Sequence, residues 1–294
     1  LEIIHTVEWM KQATRQARAE GRVIGFVPTM GALHAGHLSL VQAARRDTSP
    51  VVVSIFVNPR QFGPQEDLTQ YPRPIEEDRA QLERLGVDFL FLPSVEEMYP
   101  RGFRTTVNVE GLGDRLEGRF RPGHFRGVTT VVLKLLEIVA PQFAYFGRKD
   151  AQQLRIIRQM ADDLALDAEI VSGPIVRESD GLALSSRNAY LAPGERRAAT
   201  ALHRALDAAR QAIAAGEHDA LRLVQAMRAV LAAEPLAAPD YAEIVDADSF
   251  ESVTAVRGTC LALLAVRIGT TRLIDNMLIE AVADQPARSY RCSL

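Results

Sequence analysis

The sequence predicts an α/β protein: a parallel sheet wrapped by helices, followed by a smaller α+β region. Three observations carry this. Short apolar runs rich in β-branched residues alternate with amphipathic stretches through the first half. Alternation on that scale builds a parallel sheet. The strand-like runs end in polar turns or at Pro93, and the pattern changes near residue 190, where Ala- and Arg-rich helical stretches precede strands joined by turns.

In chain order, Val23–Val27 reads as a strand and Gly36–Arg46 as a helix. Val51–Val57 is apolar throughout, as expected of a strand buried on both faces. Ile75–Leu85 is an amphipathic helix, and Val87–Leu92 a strand closed by Pro93. Val128–Val139 is a mostly buried helix broken only by Lys134 and Glu137. Phe143–Phe146 is a short strand, and Ala151–Leu164 a helix with Gln152, Arg155 and Arg158 on its polar face. Beyond the change of texture, Ala198–Ala215 and Leu221–Ala233 are helices, and Tyr241–Val245, Leu261–Ile268 and Arg272–Ile279 strands. The domain boundary is placed between Val176 and Asn188, giving domains 1–176 and 177–294. Ligands of open α/β sheets sit beyond the carboxyl ends of the strands. The site is therefore expected just after residues 27, 57 and 146.

Composition narrows the class. Hydrophobic residues make up 47% and charged residues 24% of 294, which suits a globular core. The formal charge of −3 does not suggest a nucleic-acid partner. Two cysteines, Cys260 and Cys292, are too few for a disulfide scaffold, and Cys260 sits in an apolar run as a buried thiol. No run approaches ~18 uninterrupted apolar residues and no signal pattern opens the chain, so a cytoplasmic protein without a membrane span is expected.

Four segments carry chemistry. Pro28-Thr29-Met30-Gly31-Ala32-Leu33-His34-Ala35-Gly36-His37 runs from a strand end into a helix start. Gly31 and Gly36 allow tight turns, and the helix start offers N–H groups suited to phosphate. His34 and His37 add donors that can stabilise charge on a phosphoryl group. The ordinary alternative is that these histidines cap the helix. A third ligand for zinc is not in evidence, so no metal site is assigned. Asn58-Pro59-Arg60-Gln61-Phe62-Gly63 follows the next strand, and its amides suit hydroxyl and carboxylate groups. Gly147-Arg148-Lys149-Asp150, followed by Gln152-Gln153, opens a helix at the third edge. Ser185-Ser186-Arg187 is a phosphate-clamp pattern in a loop. A basic cluster, Arg119, Arg121, His124 and Arg126, lies in a Gly/Pro-containing loop and reads as steering for anions or as a solvated charge run.

Taken together and in this order, these segments resemble the pantoate–β-alanine ligase family over nearly the whole chain, from about Ile3 to Asn276. Residues 281–294 match no pattern. The resemblance implies a Rossmann-like nucleotidyltransferase domain, in which His34-Ala35-Gly36-His37 is the "HIGH"-type signature, with a small C-terminal lid domain. It implies that pantoate attacks the α-phosphorus of Mg-ATP to give pantoyl adenylate and pyrophosphate. β-Alanine then takes the acyl group, giving pantothenate (a coenzyme A precursor) and AMP. The family pattern also implies a homodimer.

Residue by residue, the resemblance gives Met30, Gly31, Ala32, Leu33, His34, Ala35, Gly36 and His37 to ATP, with His37, His34 and Lys149 catalytic. Gly147, Arg148, Lys149 and Asp150 are expected at ribose and phosphate, and Val176 near adenine. Leu184, Ser185, Ser186 and Arg187 would complete the phosphate clamp. Gln61, Gln153 and Asn58 are expected at pantoate, with Gln61 also at β-alanine. Arg148 departs from the pattern, standing where an acidic residue is common. Two rivals remain at this point: a related nucleotidyltransferase with another product, and a nucleotide-binding module without turnover.

Overall fold

A computed structural model describes residues 1–64, 66–281 and 290–294. It divides into two compact units, residues 1–148 with 152–174, and residues 149–151 with 175–294. This division and the boundary read from the sequence at residue 176 are two residues apart.

The first unit opens with β1 (Glu2–Ile4) and α1 (Val7–Ala19), whose start is capped by the Thr6 hydroxyl accepting from the Trp9 N–H. Then come β2 (Gly25–Thr29), α2 (Ala35–Asp47), β3 (Val51–Ile55), α3 (Ile75–Arg84) and β4 (Phe89–Phe91). Two short helices, α4 (Val95–Met98) and α5 (Glu117–Phe120), precede α6 (His124–Val139). The unit ends with β5 (Phe143–Gly147), α7 (Ala151–Asp163) and β6 (Glu169–Gly173).

Its six strands pair in parallel in the order β1-β4-β3-β2-β5-β6. Side chains alternate across the sheet, so Phe26 and Val52 face one layer and Val27 and Val53 the other. Helices α1, α6 and α7 cover the first layer, and α2 and α3 the second. From β2 the chain proceeds outward through β3 and β4, and later returns to lay β5 on the other side of β2. The crevice between β2 and β5 is thus the switch point where such sheets bind ligands.

The second unit contains α8 (Pro193–Ala198), α9 (Ala201–Ala214), α10 (Ala220–Ala232), β7 (Ala237–Asp246), β8 (Thr259–Ile268), β9 (Thr271–Ala281) and β10 (Tyr290–Ser293). Its strands form an antiparallel sheet in the order β10-β9-β8-β7, and the three helices bury their apolar faces against it. Cys260 is a buried free thiol within it, and burial raises its pKa.

Several expectations need correction. The first strand runs to Thr29 rather than ending at Val27, which moves the ligand edge to Met30. The single helix expected over 198–215 is two, interrupted at Ala199 and Thr200, where the Thr200 hydroxyl donates back to the Arg197 carbonyl. The basic cluster is not a loop: Arg119 lies in α5, and His124 and Arg126 open α6. Elements β1, α1, β6 and β10 were not expected. The buried positions of α1 are Met10, Thr14 and Ala17, a single large apolar side chain with one polar and one small residue behind it. Of residues 281–294, the part 282–289 lies outside the described residues, and Tyr290–Ser293 pairs with β9. Among the described residues no helix is long and apolar enough to cross a membrane.

Candidate active site

Two turns leave the carboxyl edge of the parallel sheet at neighbouring strands. The first follows β2. The Thr29 hydroxyl donates to the Ser54 carbonyl at 2.8 Å and accepts from the Gly31 N–H at 3.1 Å. The chain then passes through two left-handed residues, Gly31 at φ 80° and Ala32 at φ 50°. Glycine adopts this freely, and a Cβ at Gly31 would press on Ile55 and Asp78 at 3.0 and 3.1 Å. Ala32 carries a Cβ, so its conformation costs about 1–2 kcal/mol. The Ala32 and Leu33 N–H groups donate to the two carboxylate oxygens of Asp78, at 2.8 and 2.7 Å. Asp78 is wholly buried. Burial raises its carboxyl above the ordinary value, against the opposing pull of those two bonds.

His34 is the N-cap of α2. Its Nδ1 accepts from the Gly36 N–H at 3.2 Å, and the His37 Nδ1 accepts from the His34 N–H at 3.4 Å. This is a capping box built from imidazoles. With Nδ1 acting as acceptor, each neutral ring carries its proton on Nε2. The rings stand 4.1 Å apart, tilted by 36°. A Cβ at Gly36 would lie 2.9 Å from the His34 ring, so glycine is what lets that ring fold over the helix start. Capping and ligand contact are therefore compatible roles for this pair: the cap selects the tautomer a donor needs.

The second turn follows β3. Asn58 is 1% exposed and its side chain is fully engaged. Its Oδ1 accepts from the Arg60 N–H at 3.2 Å and from the Tyr99 hydroxyl at 2.8 Å. Its Nδ2 donates to Gln61 Oε1 at 3.0 Å and to the Gly127 carbonyl at 3.1 Å. Because Gln61 Oε1 is taken as an acceptor, Gln61 presents its Nε2, which lies 2.9 Å from Met30 Sδ. The two turns meet through that contact. Burial pushes the Tyr99 phenol up to about 12, so it stays a donor, and the Arg60 guanidinium lies 4.4 Å over its ring.

The backbone of Gln61 is held as well. His124 Nδ1 lies 2.8 Å from the Gln61 carbonyl, and His124 Nε2 lies 3.1 Å from Arg121 Nη1. A guanidinium only donates, so Nε2 is the acceptor and Nδ1 carries the proton. Burial, followed by the charge of Arg121, lowers the His124 pKa to about 4. Arg121 is gripped by Glu66 through two bonds of 2.8 and 2.7 Å. Burial alone would raise the Glu66 carboxyl, but bonding to Arg121 and its charge bring it below the ordinary value. The reading of this cluster as a solvated charge run therefore fails for Arg121 and His124. A cavity of about 680 Å³ opens here, lined in part by Arg60, Gln61, His124 and Arg126.

The third edge segment divides between roles. Gly147 ends β5 beside β2, and Arg148 follows it. Gln152 is buried, accepting from the Glu117 N–H at 3.1 Å and donating to the Leu112 and Arg115 carbonyls at 2.8 and 2.9 Å. Gln153, its half-buried neighbour, is the one of the pair expected at a ligand.

In the second unit, the Lys149 carbonyl accepts from Asn276 Nδ2 at 2.8 Å, and Asp150 ends the same short 3-10 turn. The Leu184 N–H donates to the Val176 carbonyl at 3.0 Å. Ser185 Oγ accepts from the Arg187 N–H at 3.3 Å, capping the 3-10 turn Ser186–Tyr190. Nearby, Arg177 pairs with the buried Asp275 through bonds of 2.7 and 2.9 Å. Among the described residues no group of three or more His, Cys, Asp and Glu side chains is placed to hold a metal ion.

Sequence reasoning missed Asp78, Tyr99 and Asn276. Asp78 closes a run Glu76-Glu77-Asp78 that reads as an ordinary acidic helix start. Tyr99 and Asn276 reach their partners across 41 and 127 residues, which leaves no local signal.

Fold and site define the class first: a doubly wound α/β enzyme with imidazole and amide side chains gathered at the carboxyl edge of its sheet. The family model for pantoate–β-alanine ligase matches residues 2–278. A pantothenate synthetase of Koribacter versatilis (strain Ellin345) is 53% identical over 293 residues, covering 100% of each chain. The crystal structure of pantothenate synthetase from Thermus thermophilus matches with a TM-score of 0.90 at 48% identity, covering 94% of this chain and 98% of that one. The pantoate–β-alanine ligase of Francisella tularensis, solved in complex with Beta-gamma ATP and β-alanine, matches with a TM-score of 0.78 at 34% identity, over 95% and 97% of the two chains. The chain belongs to the pantoate–β-alanine ligase family and is an acid–amine ligase.

Proposed function

We propose that the enzyme joins (R)-pantoate to β-alanine with ATP through a pantoyl adenylate. One observation supports this above the others: two imidazoles at a helix start, each with Nδ1 engaged in capping and its proton therefore on Nε2. Such donors suit charge on a phosphoryl group. The relative from Francisella tularensis, complexed with Beta-gamma ATP and β-alanine, supports the same substrates.

A pantoate carboxylate oxygen attacks the α-phosphorus, the bond to the bridging oxygen breaks, and pyrophosphate leaves. His34 and His37 donate to the phosphates, and Lys149 neutralises them. Mg²⁺ arrives with the nucleotide, held by its phosphates. Gln61 turns its Nε2 toward acceptor atoms of pantoate and β-alanine, with Gln153 beside it. Asn58, expected at pantoate, is buried with its side chain fully engaged and so orients Gln61 rather than touching substrate. The β-alanine amine then attacks the acyl carbon, the acyl–phosphate bond breaks, AMP leaves, and the amine proton passes to solvent. Met30 to His37, Gly147 to Asp150, Val176 and Leu184 to Arg187 contact ATP in this reading, with residues 1–176 as the substrate domain and 177–294 as a lid. The enzyme works in the cytoplasm as a homodimer.

Both half-reactions are testable separately. With Mg-ATP and pantoate alone, pyrophosphate and an acyl adenylate are expected; adding β-alanine then yields AMP and an amide. ATP binding by calorimetry without pyrophosphate release would overturn adenylation and favour a binding module.

A further inference from the structure

We propose that Asp78 is a positioning residue for the ligation reaction: its carboxylate clamps a strained turn and so sets where His34 and His37 stand. The proposal rests on the adenylation reading for the reaction it affects. Residues between Thr29 and Ala35 lie outside both β2 and α2, so their N–H groups need partners from elsewhere. Asp78 supplies two at once, one oxygen each to the Ala32 and Leu33 N–H groups, at 2.8 and 2.7 Å. Bonds of this length to an ionised acceptor are the strong kind. Asp78 is 0% exposed, so water has no access to replace it.

The clamped conformation is one an alanine does not choose. Ala32 sits at φ 50°, next to Gly31 at φ 80°. Left-handed residues that carry a Cβ persist where the surroundings impose them, and they gather at functional sites. Here the imposing group is on α3, 46 residues beyond Ala32 in sequence. The turn it holds ends at His34, the cap of α2, three residues before His37. A slackened turn displaces both rings together while leaving the Asn58 and Gly127 contacts that orient Gln61 in place. Burying a carboxylate for packing alone is costly; the geometry points to a carboxylate kept because it accepts two adjacent N–H groups.

The test compares Asp78→Asn, Asp78→Asn/Ala32→Gly and the parent enzyme. Asparagine keeps the shape but turns an amide N–H against a backbone N–H. Pyrophosphate release with ATP and pantoate is expected to fall about 10–100-fold in kcat, with the pantoate KM within about threefold of the parent. Glycine at position 32 adopts the left-handed turn unaided, so the double variant recovers at least about fivefold. A merely structural Asp78 lowers the melting temperature and is not rescued by glycine. Unchanged kcat in Asp78→Asn, or no recovery in the double variant, overturns the proposal. If Asp78→Asn does not fold, Ala32→Val takes its place. It adds a β-branched carbon at the same φ without touching the carboxylate, and unchanged kcat there overturns the proposal equally. If the parent itself releases no pyrophosphate, the adenylation reading fails. The clamp is then read from ATP affinity by calorimetry, weakened in Asp78→Asn and restored by glycine, and equal affinities overturn it.

Discussion

The turn after β2 and the turn after β3 lie side by side and are stabilised in opposite ways. The first is strained, with consecutive left-handed residues, and is held by one buried carboxylate. The second shows no left-handed residue and is held by a closed set of neutral groups: the Asn58 amide, the Tyr99 phenol, the Gly127 carbonyl and the His124 imidazole. A charge holds a backbone that would otherwise relax. A saturated amide network instead chooses between two side-chain orientations of nearly equal shape. The first device places donors; the second sets the polarity of Gln61.

The largest expected effect falls on the first turn. His37→Ala should slow pyrophosphate release about 10²–10³-fold, the cost typical of removing one donor to developing charge. Its far-UV spectrum should match the parent, and near-normal release by the purified variant would break the assignment. The next effect is on stability. His124 is held neutral, its pKa lowered to about 4 from an ordinary 6.5. The unfolded chain therefore takes up this proton more readily, and the stabilisation is complete above pH 6.5 and lost as pH falls toward 4. The shift corresponds to about 3 kcal/mol. Protonation at Nε2 would set an imidazolium against the Arg121 guanidinium, so the second turn should loosen in acid. Urea unfolding of the parent and of His124→Asn across about pH 7.5 to 4.5 measures this, and parallel curves would refute it.

Smaller effects sharpen the contrast. Gln61→Ala should raise the pantoate KM about 10-fold or more while ATP affinity stays within about twofold, as expected when a hydrogen-bonding partner to one substrate is lost. Equal loss for both substrates would argue against it. Tyr99→Phe keeps the ring under Arg60 and removes only the bond to Asn58. The Arg60 N–H still holds Asn58 Oδ1, so about 1 kcal/mol of stability and a few-fold rise in pantoate KM are expected. Calorimetric melting and steady-state titration check the two parts.

Much of this was legible in the chain. The parallel sheet followed from alternation, because strands buried on both faces leave unbroken runs such as Val51–Ile55. Gly31 and Gly36 were legible as turn residues, and both meet close neighbours where a Cβ would stand. What escaped was of two kinds. Elements with weak patterns were missed: β1 spans Glu2–Ile4 alone, and β6 is a half-exposed edge strand. Among the holders of the site, Asp78 and Tyr99 were missed and His124 was legible only as a member of a basic cluster, since they act across 46, 41 and 63 residues.

The sequence by itself determined the strand-and-helix alternation, the edge at which ligands are expected, and the residue types standing there. It did so because periodicity and turn chemistry are local properties. Only the tertiary structure decided the neutrality of His124, the orientation of the Gln61 amide and the left-handed state of Ala32. Each of these is set by a partner brought near through folding and by exclusion of water. Neither the distance to that partner nor the burial around it is written in the local order of residues.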